Sequence, residues 1–123
     1  MDLNFYKIKS NQTLKNFIEE FEEAKKANIK IAIKLSKKNK LEGIITLGDL
    51  RIISEKKYNQ NIFVKELINK NPIVVNEEHF NNNLYELILS KISKDNKKID
   101  IEEVIVVDKE KNFSRIVSYK SIC

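Results

Sequence analysis

Gly43-Ile44-Ile45-Thr46-Leu47-Gly48-Asp49-Leu50-Arg51 is a run of aliphatic residues that passes without a break into a helix start. The aliphatic part suits a buried strand, Leu41 to Thr46. Thr46 can cap the helix that follows, and Asp49 falls in its first turn, where the helix dipole favours a carboxylate. Free backbone N–H groups at such a start can also receive a phosphate. A hydroxyl and a carboxylate placed this way at a strand end can grip a diol such as a ribose. The same pair serves equally as a cap with no ligand.

Upstream of this segment, Ile29, Ile31, Ile33 and Leu35 alternate with Lys30, Ala32 and Lys34, which predicts a strand with one strongly apolar face. Ser36 to Lys40 is a turn, so this strand and Leu41 to Thr46 should pair antiparallel. Earlier still, Leu14, Phe17, Ile18, Phe21 and Ala24 recur at the helical period, after a short extended piece at Ile8. Glu19, Glu20, Glu22 and Glu23 precede Lys25 and Lys26, an order that suits the dipole, and Asn28 is a natural helix end. Downstream, the helix begun at Leu47 is expected to reach Lys57, with a linker at Tyr58 to Asn61.

The remainder repeats this order. A helical turn at Val64 to Asn69 is broken by Asn71-Pro72. There follow a β-rich run, Ile73-Val74-Val75, and a helix at Phe80 to Ile92. A polar loop at Ser93 to Asp100 leads to strands at Val104 to Val107 and Phe113 to Ser118, joined by a turn at Asp108 to Lys111. A shift of 72 positions lays Ala32–Leu35 over Val104–Val107 and Leu41–Thr46 over Phe113–Ser118, while the first strands need a smaller one. The expected fold class is α/β (α+β), with two tandem β-α-β-β-α repeats, 1–60 and 61–123, the last helix cut short. Halves of about 60 residues are small for independent cores, so the two should pack together with pseudo-twofold symmetry.

Composition narrows the function. Hydrophobic residues make up 41% and charged residues 33%, the balance of a folded chain in water. No apolar run approaches the roughly 20 residues of a membrane span, and Met1 to Ser10 lacks a secretory pattern; the expected setting is cytoplasmic. Cys123 and His79 are each single, which excludes disulfide frameworks, cysteine zinc sites, histidine clusters and catalytic triads. The net charge of +5 rests on lysine, with Arg51 and Arg115 the sole arginines. Base readers depend on arginine forks, and these lysines are interspersed with acids, so nucleic acid is not an expected partner. Gly43 and Gly48 are the only glycines, too few for a phosphate-cradling loop, and no nucleophile stands beside a base. No catalytic residue, metal or resident cofactor is assigned.

The segment Gly43 to Asp49 resembles the signature of CBS domains: a glycine, two aliphatics, Thr or Ser, two variable residues and Asp. The element order and the internal duplication match as well, from Phe5 to Ile122; a pair of such repeats is called a Bateman module. The resemblance implies a regulatory, non-catalytic unit. It would bind AMP, ADP, ATP or S-adenosylmethionine in a cleft between the repeats and control a fused or partner enzyme. It implies Thr46 and Asp49 as the ribose pair, with Gly48 in the same turn, Lys30 as a basic residue near phosphates, and Asn71, Ile73 and Ile101 bordering the base. The second motif reads Arg115-Ile116-Val117-Ser118-Tyr119-Lys120-Ser121, with Ser121 replacing the aspartate and Arg115 the glycine, which leaves one ligand per chain. The Thr-x-Gly-Asp-Leu-Arg shape is similar to CBS pairs attached to sugar-phosphate nucleotidyltransferases and isomerases. The chain ends where its last helix should begin, as a fragment of such an enzyme would. Family members pair through helices, so a homodimer is expected, with Phe17, Phe21, Leu84 and Ile88 supplying apolar surface. The alternative is a structural dimerisation module with empty clefts.

Overall fold

The hairpin expected around Ser36 to Lys40 forms, and it forms twice. The computed structural model describes residues 3–79 and 103–118; the expected helix at Phe80 to Ile92, the loop at Ser93 to Asp100, Ile101 and Ser121 lie outside them. The chain divides into two units, residues 4–72 and residues 1–3 with 73–123. The first holds β1 (Tyr6–Lys7), α1 (Leu14–Lys26), β2 (Ile31–Leu35), β3 (Leu41–Thr46), α2 (Leu47–Glu55) and a 3₁₀ turn at Val64–Glu66. The second holds β4 (Val74–Asn76), a 3₁₀ turn at Glu77–His79, β5 (Glu103–Val107) and β6 (Phe113–Ser118). In each three-stranded sheet the first strand runs parallel to the middle one and the last runs antiparallel to it.

The two hairpins match residue for residue. Lys34 pairs with Gly43 and Leu35 with Leu41, leaving Glu42 as a bulge; Val106 pairs with Arg115 and Val107 with Phe113, leaving Ser114. In the turns, Ser36 Oγ accepts the N–H groups of Lys38 and Lys40, as Asp108 Oδ1 accepts those of Glu110 and Asn112. Asn39 and Lys111 take the same left-handed φ, 65° and 67°. Lys7 opposite Ile33 corresponds to Val74 opposite Ile105, a shift of 67 and so smaller than that of the hairpins.

Helix α1 is fixed at both ends by its sequence. Thr13 Oγ1 accepts the Asn16 N–H at 3.2 Å. At the other end Asn28 adopts φ 66°, donates to Lys25 O, and lets Ile29 N–H reach Ala24 O, closing a Schellman motif. The helix buries Leu14, Phe17 and Phe21, which share a core with Ala32, Ile45, Leu50, Ile53 and Val64. The rings of Phe17 and Phe21 lie 5.2 Å apart, and both contact the Tyr6 ring, Phe17 edge-on and Phe21 tilted. Helix α2 stops at Glu55, short of the expected Lys57, because Lys57 turns into the left-handed region at φ 52°.

Strand β2 departs from the one-faced strand expected of it. Ile31, Ala32, Ile33 and Lys34 are all buried. The alternation gave an apolar face only to Ile29, Ile31, Ile33 and Leu35, but Ala32, on the other face, packs in the α1–α2 core.

The buried Gln12 is satisfied on every side. Its Nε2 donates to Tyr6 OH at 2.6 Å and Asn16 Oδ1 at 2.8 Å, and its Oε1 accepts the Lys9 N–H at 3.1 Å. Tyr6 OH donates onward to Glu20, whose carboxylate also pairs with Lys9 Nζ at 3.1 Å. The hydrogen bond from Lys9, then that from Tyr6, holds Glu20 below the usual carboxylate range, while Glu20 pushes Lys9 up.

Residues 61–72 pack with 4–60: Ile62, Leu67 and Ile68 lie against the core and Val64 lies within it. Ile44 N–H donates to Asn69 O at 3.1 Å and Asn69 N–H to Ile44 O at 2.8 Å, an antiparallel bridge on the free edge of β3. Gly43 permits it: a Cβ there would lie 2.8 Å from Asn69 O and from the Ile68 side chain. In the second unit Leu3 N–H donates to the O of Ile116, the counterpart of Ile44, at 2.8 Å.

Two outcomes follow from this packing. Gly43→Val forces the 68–69 backbone off β3 and should destabilise the protein by about 1–3 kcal/mol or more; an unchanged melting temperature would refute the close approach. The Glu20 contribution is complete above the ordinary carboxylate value of 4.5 and is lost as pH falls through its lowered value. Glu20→Gln should therefore lower the melting temperature near neutral pH and converge on the parent in acid. A deficit that stays constant with pH would remove the ion pair from the account.

Candidate functional site

Strand β3 ends at Thr46 and α2 begins at Leu47, with no loop between them. Thr46 is extended, at φ −95° and ψ 172°, so its side chain turns back over the first helical turn. Its Oγ1 accepts the Asp49 N–H at 3.2 Å, and Asp49 Oδ2 accepts the Thr46 N–H at 3.0 Å. This reciprocal capping box locks both side chains in place. It uses one carboxylate oxygen and leaves the other, with the threonine hydroxyl proton, making no further hydrogen bond among the described residues. One acceptor and one donor are thus presented side by side, the set a vicinal diol needs. The first-turn N–H groups of Leu47 and Gly48 lack intrahelical acceptors and lie at the positive end of the α2 dipole.

Gly48 is not a glycine for backbone reasons, since no glycine has positive φ. It is exposed, and a Cβ built on it would meet only Thr46 Oγ1, at 3.7 Å. Its missing side chain leaves the approach to the Thr46 hydroxyl open. Lys30 is half-buried and precedes Ile31, which pairs with Thr46, so the fold brings Lys30 to the same end of the sheet. Asn71 is exposed and donates its N–H to Asn69 Oδ1 at 3.0 Å. Ile73 is half-buried and stands directly before β4, in the other unit. The second motif places Arg115 on β6 at the Gly43 position.

Sequence reasoning missed Lys34 and Glu42. Lys34 Nζ bonds Glu42 Oε1 at 2.7 Å and Leu35 O at 2.9 Å, with its side chain only 7% exposed. The available signal was Ile44-Ile45 in the neighbouring strand, whose adjacent apolar residues require two buried faces. Among the described residues, no group of three or more His, Cys, Asp or Glu could hold a metal ion. No helix among them is long and apolar enough to cross a membrane.

No protein-family model and no curated protein matches the sequence. Solved structures do match. A CBS domain protein of Pyrobaculum aerophilum complexed with AMP aligns at a TM-score of 0.70 and 15% identity, over 100% of this chain and 86% of that one. A CBS domain pair in complex with 5′-methylthioadenosine and S-adenosyl-L-methionine aligns at 0.68 and 24%, over 96% and 87%. The cytosolic domain of the Mg2+ channel MgtE in complex with ATP aligns at 0.67 and 18%, over 96% of this chain and 43% of that one. The architecture of helices and mixed sheets is that of the CBS domain pairs.

Proposed function

We propose that this chain is a ligand-sensing regulatory module that binds an adenosine-type nucleotide, AMP, ADP or ATP, or S-adenosylmethionine, and is not a catalyst. The carrying observation is the Thr46–Asp49 box, which presents one donor and one acceptor beside an open glycine at a helix start. Support comes from structures of the same fold that were determined with AMP, with 5′-methylthioadenosine and S-adenosylmethionine, and with ATP. In this reading Thr46 and Asp49 hold the ribose diol and the Gly48 N–H faces the ligand. Lys30 answers a phosphate, while Asn71, Ile73 and Ile101 border the base. Binding would bias a fused or partner enzyme through its different affinity for two arrangements of the module. The Thr-x-Gly-Asp-Leu-Arg resemblance favours an enzyme of sugar-nucleotide synthesis, in the cytoplasm.

A structural dimerisation module is the second reading. It is favoured by the capping box itself, which satisfies Thr46 and Asp49 without a ligand. A homodimer belongs to both readings; of the apolar residues expected to supply its surface, Leu84 and Ile88 lie outside the described residues. Phe17 and Phe21 are absorbed completely by the core, and among the described residues the large apolar side chains left exposed are Ile52, at 50%, and Phe63, at 42%.

A thermal-shift panel of AMP, ADP, ATP, GDP, S-adenosylmethionine and sugar nucleotides tests the ligand. A binder at about 100 times its Kd should add about 2.7 kcal/mol of stability. With the best ligand, calorimetry should show Asp49→Ala weaker by about 1.5–3 kcal/mol and Ser121→Ala unchanged. Equal losses in both variants, or none in either, would put the structural reading in front. Sedimentation at high micromolar concentration should show a dimer; monomer alone would exclude it.

A further inference from the structure

The hairpin end of the first unit carries a second candidate site. Ile31 pairs with Thr46 at one end of β2, and Leu35 with Leu41 at the other, about 13 Å away along the strand at the usual rise. There an open groove of about 640 Å³ is lined by Ser10, Ser36, Lys37, Lys65 and Lys70, with Lys34 and Glu42 also in its wall. That volume falls within the range of about 300–1,000 Å³ typical of small-molecule sites.

Its charge is unbalanced. Among the described residues neither Lys37 nor Lys70 has an ion-pair partner, and Lys65 Nζ sits 5.5 Å over the Phe63 ring, a contact that leaves its charge unneutralised. Glu66 is the one lining carboxylate besides Glu42, which is committed to Lys34. An ammonium has three N–H donors. Lys34 spends two, on Glu42 and Leu35 O, so a third remains on a nearly buried amine in the wall.

The fold does not require this arrangement. The second unit repeats the hairpin with Val106 in place of Lys34 and Ser114 in place of Glu42. There Ser114 Oγ simply donates to Glu77 Oε1 at 3.0 Å. Desolvating an ammonium is costly even when it is paired, and an apolar residue occupies the same backbone position in the second unit.

The geometry points to a binding site for the phosphate group of a small molecule, held by Lys34, Lys37 and Lys70, with the Ser10 and Ser36 edge beside it. The anion takes the third N–H of Lys34, against the charge of Glu42. It binds independently of the Thr46–Asp49 end.

Pyrophosphate titrated into the full chain at constant ionic strength, followed by amide chemical shifts, tests this. Saturable shifts are expected at Ser10, Ser36, Lys37 and Lys70. Lys34→Val, the second unit's own residue, should weaken binding about tenfold or more, as should Lys37→Ala, each removing a charge-assisted hydrogen bond. Glu42→Gln should tighten it. Shifts that chloride reproduces, or affinities unchanged from the parent in both Lys34→Val and Lys37→Ala, would overturn the site. Saturable shifts confined to Lys30, Leu47 and Gly48 would also overturn it, by moving the anion to the start of α2. Should Lys34→Val fail to fold, the exposed Lys37→Ala decides alone.

Discussion

Two backbone hydrogen bonds between Ile44 and Asn69, made possible by the absent side chain of Gly43, hold the first unit closed. An unpaired strand edge is a liability in water, and here the chain covers its own. The bridge fixes the segment that carries Val64 into the core and brings Ile68 and Lys70 beside the hairpin. It also clamps β3 between β2 and the 68–69 segment, so the strand end that carries Thr46 is held from both sides. The second unit meets the same need at the equivalent carbonyl, that of Ile116, with residue 3.

The Thr46–Asp49 box shows how a fold can prepare a site without strain. Capping satisfies the helix start, and in doing so it freezes two rotamers that a ligand would otherwise have to order. The structural role and the proposed ligand role therefore draw on different atoms of the same two side chains. The Gln12 network follows a different logic. Each of its polar atoms is spent internally, on Tyr6, Asn16 and Lys9, and it serves to lock β1 to α1.

The duplicated hairpins act as an internal comparison. Turn geometry, bulge position and register are the same in both, although Lys34 stands against Val106, Glu42 against Ser114 and Gly43 against Arg115. The backbone is set by the turn, where Ser36 and Asp108 each fasten two N–H groups and the residue three positions later takes positive φ. Side chains on the strands are then free to diverge, and the charge at the hairpin end of the first unit is such a divergence.

The sequence alone determined whatever depends on neighbours along the chain. The period of Leu14, Phe17 and Phe21, the ending at Asn28, the strand boundaries Leu41–Thr46 and Phe113–Ser118, the 72-residue repeat and the capping pair Thr46 and Asp49 are all local, and local chemistry fixes them. Tertiary structure decided what depends on residues far apart. That Ala32 is buried follows from α1 and α2 packing on the strand face opposite the apolar one expected, while Lys34 is buried beside Glu42 and the segments that line the groove. That Phe17 and Phe21 offer nothing to a partner follows from the same packing. The role of Gly43 needs Asn69, which is 26 residues away along the chain. The pairing of Lys34 with Glu42 needs a bulge, and the groove beside it needs three separate segments. Burial and edge pairing belong to the assembled chain, and no periodicity within one segment encodes them.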